Sequence, residues 1–148
     1  MTCRIQFVDV NYVAQLWPQV RGYLEKSLVE GKEPEEGAIP DWNDCYNIHH
    51  VQAFITTGAW LLVVAVDDDG VIQGAATIAF NNYPMQRVAV ITLTGGRLVT
   101  GDGEFEQLAA LLRHHGATRV QAYCRESMVR MLKRRGFEPR STLVEAQL

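Results

Sequence analysis

Two hydrophobic rhythms alternate along the chain, one with a period of two residues and one with steps of three and four. Residues 3–8 (CRIQFV) alternate weakly and predict a first strand, β1. In residues 10–28 the apolar positions are Val13, Leu16, Trp17, Val20, Tyr23, Leu24 and Leu28. That spacing predicts an amphipathic helix, α1, with Asp9 or Asn11 as its cap and Pro18 as a kink or break. Residues 30–41 (EGKEPEEGAIPD) form the most polar, Gly/Pro-rich segment. They read as a loop, the natural place for mobility or substrate contact. Helical spacing returns in residues 44–57 through Ile48, Val51, Phe54 and Ile55, giving α2. Asp41 and Asp44 sit at or before its start, where negative charge is favourable, and Gly58 suits its end.

Residues 60–66 (WLLVVAV) are a near-continuous apolar run and predict β2. The polar turn Asp67-Asp68-Asp69-Gly70 then folds residues 71–80 back as an antiparallel β3. Asn81-Asn82-Tyr83-Pro84 carries turn chemistry, and residues 87–94 resume as β4. On β4, Val88, Val90 and Thr92 share one face, and Ala89, Ile91 and Leu93 share the other. Neither face is polar, so both are expected to be covered, as in the centre of an α/β sheet. A glycine-rich stretch (Gly95, Gly96, Gly101, Gly103) leads into residues 104–115, a helix α3 with Phe105, Leu108, Ala109, Leu111 and Leu112 as its apolar face. Residues 119–124 predict β5. Residues 127–135 predict α4 with Met128, Met131 and Leu132 inward, and residues 137–147 predict a last strand, β6. The expected class is mixed α/β in the order β1-α1-α2-β2-β3-β4-α3-β5-α4-β6.

The chain has 148 residues, which fits a single domain, 1–148, around one core. A formal net charge of −3 leaves no global basic footprint for nucleic acid. No apolar run approaches the roughly 20 residues of a membrane span. Met1-Thr2-Cys3-Arg4 leads straight into β1, so no signal peptide is expected. Cys3, Cys45 and Cys124 are far apart and lack metal spacing, and they read as three buried thiols in a reducing compartment.

No metal site is expected. His49 and His50 are adjacent, so on a helix they point about 100° apart and cannot both face one ion. One exposed and one half-buried histidine is the expectation there, and His114-His115 follows the same argument near the end of α3. The aspartates at 67–69 lack the spaced ligands and distal Glu of a calcium loop. Lys133, Arg134 and Arg135, with Arg125, Arg130 and Arg140, form a local positive cluster. It reads either as a solvated helix end matched to the dipole or as a contact for an acidic partner or a phosphate.

The strand, glycine loop and helix of residues 87–115 also carry two readings. The arrangement can point backbone N–H groups at an anion, or the glycines can serve positive φ alone.

This element order, with its hairpin and its glycine loop between fourth strand and third helix, resembles the GCN5-related N-acetyltransferase (GNAT) superfamily over essentially the whole chain. The ending MLKRRGFEPRSTLVEAQL is similar to the family's helix that ends in a Gly-Phe step before a last strand. The resemblance implies acetyl-CoA as co-substrate, held by a Q/R-x-x-G-x-G/A loop. The corresponding stretch here is Arg97-Leu98-Val99-Thr100-Gly101-Asp102-Gly103, one residue longer, with Asp102 in the loop. Cofactor contacts are therefore expected from Arg97, Gly101, Asp102 and Gly103, and from the main chain near Ile91 and Leu93, beside a splay between β4 and β5. No catalytic residue is assigned. Where the family often has a Tyr acid, four residues before the Gly-Phe glycine, this chain has Leu132, and β4 has no carboxylate. Tyr123, Cys124 and Glu126, near the end of β5, are the remaining candidates.

The implied acceptor is a small amine or a protein amine. Three pieces are also similar to small GNAT-like proteins of tailed bacteriophages: LWPQVRGYLEKSL, GAWLLVVAVDDDGVIQGAATIAFNNYP and GGRLVTGDG. That likeness implies the host cytoplasm or the virion as location. It also implies a non-catalytic alternative, a binding or structural protein with virion proteins or further copies of itself as partners.

Overall fold

The computed structural model describes residues 2–29, 45–98, 101–124 and 126–148. Its elements are β1 (Arg4–Val8), a 3-10 turn (Val10–Tyr12), α1 (Val13–Val29), α2 (Ile48–Thr56), β2 (Leu61–Val66), β3 (Ile72–Asn82), β4 (Arg87–Gly96), α3 (Asp102–His114), β5 (Arg119–Ala122) and α4 (Glu126–Lys133). The five strands form one sheet in sequence order. β1 through β4 pair antiparallel, and β5 joins β4 in parallel after the α3 crossover. This is the predicted order up to α4.

The predicted sixth strand is absent. Residues 138–148 are exposed and carry no strand pairing. Leu143, Val144 and Leu148 alone interrupt a polar tail, too few to cover a face of the sheet. Phe137 is the last residue tied to the body: its N–H donates to the Leu132 carbonyl at 3.1 Å, and its ring lies 5.5 Å from that of Phe105.

Each face of the sheet is covered by helices. On one face Val13, Trp17, Val20 and Leu24 of α1 and Ile48, Val51 and Ile55 of α2 pack on Leu62, Val64, Val66, Ile72, Ala75 and Leu93. On the other, Phe105, Leu108 and Leu112 of α3 and Leu132 of α4 pack on Ile5, Val63, Ala65, Ala76, Ile78, Ala89 and Ile91. Helical spacing in the sequence set these stripes, and α1 runs through Pro18 without a break. Among the described residues no helix is long and apolar enough to cross a membrane.

Local chemistry explains several boundaries. The Asp9 carboxylate caps the 3-10 turn by accepting the Asn11 N–H at 2.8 Å. α2 begins later than its apolar pattern suggested. Asn47 is its cap, accepting the His49 and His50 N–H groups, while the His50 ring nitrogen accepts the Asn47 N–H in return. Asp41 and Asp44 lie outside the described residues, as does the expected loop at 30–41. His49 and His50 are both exposed, which corrects the expected half-buried one. In the β2–β3 turn, the Asp67 carboxylate accepts the Asp69 and Val71 N–H groups and the Gln73 side-chain amide. The β3–β4 turn spans Tyr83 to Gln86, so Asn81 and Asn82 belong to the strand.

The cysteine expectation needs correction as well. Cys3 is buried, but Cys45 and Cys124 are exposed.

Candidate functional site

The sheet departs from regularity on β4. Thr77 of β3 pairs with Leu93 and Ile78 pairs with Ile91, so Thr92 is an extra residue, a β-bulge. Its hydroxyl donates to the Thr77 carbonyl at 3.0 Å and lies 2.6 Å from the Thr77 hydroxyl, itself fully buried. The extra residue reverses the side-chain alternation. Ala89 and Ile91 face α3, whereas Leu93 faces α1 and α2. The expectation that Ala89, Ile91 and Leu93 share a face therefore fails at the bulge.

Pairing with β5 stops at the same point. The last matched residues are Ile91 and Ala122. β4 continues to Gly96, paired with β3 only, while β5 gives way to exposed Tyr123 and Cys124. Among the described residues no strand pairs with the outer edge of β4 beyond Ile91. The sheet thus has a fork at the bulge. Of the two strand positions expected to meet a cofactor, Ile91 is the last residue inside the paired region and Leu93 lies just beyond it.

The four glycines of the loop serve different ends. Gly95 lets α1 approach, since a β-carbon there would strike the Tyr23 backbone. Gly96 combines a positive φ of 72° with close approach to Gln73, whose carbonyl accepts the Arg97 N–H at 2.9 Å. Gly101 is the N-cap of α3 with φ of −88° and ψ of 142°, so it needs no left-handed freedom. A β-carbon on Gly101 would meet the Glu104 carboxylate, and one on Gly103 would sit 2.9 Å from the Thr2 side chain. The space that a ligand-cradling glycine would leave open is filled by the chain itself.

Glu104 is the residue that sequence reasoning missed. It stands in the first turn of α3 and is only 2% exposed. Its Oε1 accepts the Cys3 N–H at 2.9 Å and lies 3.8 Å from an Arg97 guanidinium nitrogen. The carboxyl is held below its usual range, foremost by the Cys3 N–H; its own N–H and Arg97 add to this, against the opposing effect of burial. The helix dipole favours an anion here, and the chain provides one. Burial in turn pushes the Cys3 thiol up, partly offset by Arg97. Nearby, Gln107 accepts the Ile5 N–H and donates to the Cys3 carbonyl, so the first two turns of α3 are sewn to β1. A Glu three residues after a glycine cap was the signal in the sequence.

The expected donor group thus meets two different receptions. The unpaired edge of β4 suits an extended, hydrogen-bonding arm. The glycine loop, with Glu104 and Thr2 over Gly101 and Gly103, does not suit a diphosphate. Arg97, with its side chain 45% exposed, faces the internal carboxylate. Asp102 opens α3, and its side chain lies outside the described residues, as do Val99 and Thr100.

Of the candidates for proton transfer, Tyr123 and Cys124 are exposed just past β5, and Glu126 is exposed at the start of α4. Leu132 is 6% exposed and packed in the α3-side core, so its position on α4 faces inward rather than into the fork. Arg125 lies outside the described residues. A cavity of about 390 Å³ lies at the far end of the sheet order, between the start of β1, Gln107 and the Asp67–Gly70 turn, and none of the expected site residues lines it. Among the described residues no group of three or more His, Cys, Asp or Glu could hold a metal ion.

No protein-family model and no curated protein matches the sequence. Solved structures do match in fold. An aminoglycoside acetyltransferase from an uncultured soil metagenomic sample, solved with sisomicin, superposes with a TM-score of 0.64 at 16% identity, over 99% of this chain and 97% of that one. A predicted acetyltransferase of Clostridium acetobutylicum, solved with acetyl-CoA, gives 0.61 at 15% identity, over 97% and 95%. A mutant of a Bacillus halodurans protein, BH1408, gives 0.67 at 18% identity, over 97% and 98%. Over 97–99% of its length the chain shares the fold of these solved structures, two of which are described as acetyltransferases.

Proposed function

We propose that this chain is a GNAT-type N-acyltransferase, passing an acyl group from a thioester, with acetyl-CoA as the donor to test first, to an amine. The observation that carries the reading is the fork at Thr92, where β4 loses its β5 partner and leaves a strand edge unpaired. Such an edge can hold an extended arm by main-chain hydrogen bonds, as an added strand would be held. An acyl thioester supplies the activated carbonyl. The C–N bond forms as the C–S bond breaks, and the thiol leaves with a proton; the chain's share is to hold the arm straight, bring the amine alongside and take up its proton, with Tyr123, Cys124 and Glu126 nearest in sequence to the end of β5. The acceptor is a small amine, a peptide N-terminus or a lysine. The full-length likeness to structures solved with acetyl-CoA and with an aminoglycoside supports this reading. Isothermal titration with acetyl-CoA tests it. Measurable binding is expected, and no heat and no thermal shift at millimolar ligand would overturn it.

A second reading is a non-catalytic protein that keeps the fold for binding or assembly, with virion proteins or further copies of itself as partners. Its specific support is the inward Leu132 and the covered faces of Gly101 and Gly103. Purification in a stable particle or complex without any thioester ligand would favour it. A chain that elutes carrying CoA would refute it.

A further inference from the structure

The two halves of the expected donor site disagree, and the disagreement points to the donor. We infer that this chain recognises its acyl donor through the pantetheine arm alone, so that its substrate is a pantetheine-borne acyl thioester whose diphosphate contributes nothing to binding. The inference rests on the acyltransferase reading and sharpens it to a donor class.

The arm's half is open. Beyond the bulge, the outer edge of β4 from Leu93 onward has no strand partner among the described residues. A pantetheine arm is an extended chain with two amides, each carrying one donor and one acceptor, which is the complement of a bare strand edge.

The diphosphate's half is closed. At the N-terminus of α3, the place where amides and dipole favour an anion, Glu104 already stands, 2% exposed. Its carboxylate takes the Cys3 N–H at 2.9 Å, covers Gly101 and lies beside Arg97. Thr2 covers Gly103. A diphosphate brought to these amides would meet a fixed, buried like charge that already holds Arg97, which disfavours it. The carboxylate is anchored to Cys3, just before β1 and 101 positions away in sequence, so it cannot simply swing aside without giving up a buried hydrogen bond.

Two sources share this chemistry: a free acyl-pantetheine, and an acyl-phosphopantetheine arm on a carrier protein. The test compares titrations of the unaltered chain with acetyl-pantetheine, acetyl-CoA and an acetylated carrier protein, at two salt concentrations. Acetyl-pantetheine is expected to bind at least as tightly as acetyl-CoA. A carrier-borne arm that binds more tightly than acetyl-pantetheine would name the carrier as the source, and equal binding would name the free thioester. Acetyl-CoA binding tenfold or more tighter than acetyl-pantetheine, or competition by inorganic pyrophosphate, would overturn the inference and leave the acyltransferase reading standing. No binding of any of the three would overturn both.

Glu104→Gln provides an independent arm. It keeps an oxygen to accept the Cys3 N–H while removing the charge. Severalfold tighter acetyl-CoA binding, largest at low salt, is expected, with acetyl-pantetheine unmoved. Equal affinities before and after the substitution for both ligands would overturn the inference.

Discussion

Glu104 shows how one residue can decide between two readings of a loop. A buried carboxylate is tolerated when its charge is balanced, and here the Cys3 N–H and its own N–H supply hydrogen bonds while Arg97 supplies an opposite charge at 3.8 Å. Because the folded carboxyl sits below its ordinary value of 4.5, the folded chain binds fewer protons there than the unfolded chain as the solution is acidified. The stabilisation is complete above that ordinary value and is lost as pH falls through the lower, folded one. Glu104→Gln should therefore flatten the acid limb of a plot of stability against pH, its cost fullest near neutral pH and shrinking as the pH falls; denaturant melts between pH 3 and 7 measure this, and identical limbs would refute the role. Glu104→Ala should cost about 1–3 kcal/mol at neutral pH, because the Cys3 N–H is left buried without that acceptor. The three thiols give a second residue-scale expectation. Cys45 and Cys124 are exposed while Cys3 is 1% exposed with its thiol pushed up by burial. Native alkylation should label two cysteines quickly and the third only on unfolding, as read by intact mass.

Among the elements, β4 matters most, because its bulge both turns Leu93 to the α1 side and ends the pairing with β5. Thr77 and Thr92 brace it: the Thr92 hydroxyl reaches the Thr77 carbonyl, and the two hydroxyls lie 2.6 Å apart. Thr92→Val keeps the shape and removes the hydroxyl, stranding polar atoms of Thr77 in the core, so a loss of about 1–3 kcal/mol is expected. Thermal or urea melts check this, and an unchanged midpoint would mean that the strand holds its bulge without the pair. Sequence patterning found the strands and helices because burial is written in periodicity. The bulge escaped it. A threonine among apolar residues looks like any other strand position, and only the register of β3 against β4 shows that Thr92 is extra. The glycines were ambiguous for a related reason. Gly95 is required by the backbone of α1, a partner some 70 positions away, and Gly101 by a side chain three positions on. Neither relation is visible in a local motif. Helical spacing puts the start of α2 near residue 44, where Asp41 and Asp44 satisfy the charge rule, whereas Asn47 and His50 supply the capping hydrogen bonds that begin it at Ile48.

At the scale of the molecule, five strands and two helical layers bury the core, and the chain beyond Phe137 stays outside it. β5 is left as an edge of four residues with Arg119 and Gln121 exposed, a short and charged edge of the kind that resists pairing. The tail is the part of the sequence that looked most like a sixth strand, and its fate is the sharpest test of the architecture. Leu143, Val144 and Leu148 are 65%, 83% and 120% exposed, so they contribute almost no burial to the folded state. Removing residues 141–148 should then change stability by no more than about 0.5 kcal/mol, the usual range for surface changes. Phe137→Ala serves as the contrast. That ring is half-buried against Phe105, so its loss should cost about 1–2 kcal/mol, less than a fully buried phenylalanine would, while the backbone N–H that closes the end of α4 is kept. Equilibrium melts of the two variants side by side distinguish the cases. A truncation that costs as much as Phe137→Ala would mean that the tail packs on the sheet after all, with the open edge of β5 as the place for it. A neutral truncation combined with a costly Phe137→Ala would put the end of the folded domain at the Gly136-Phe137 step.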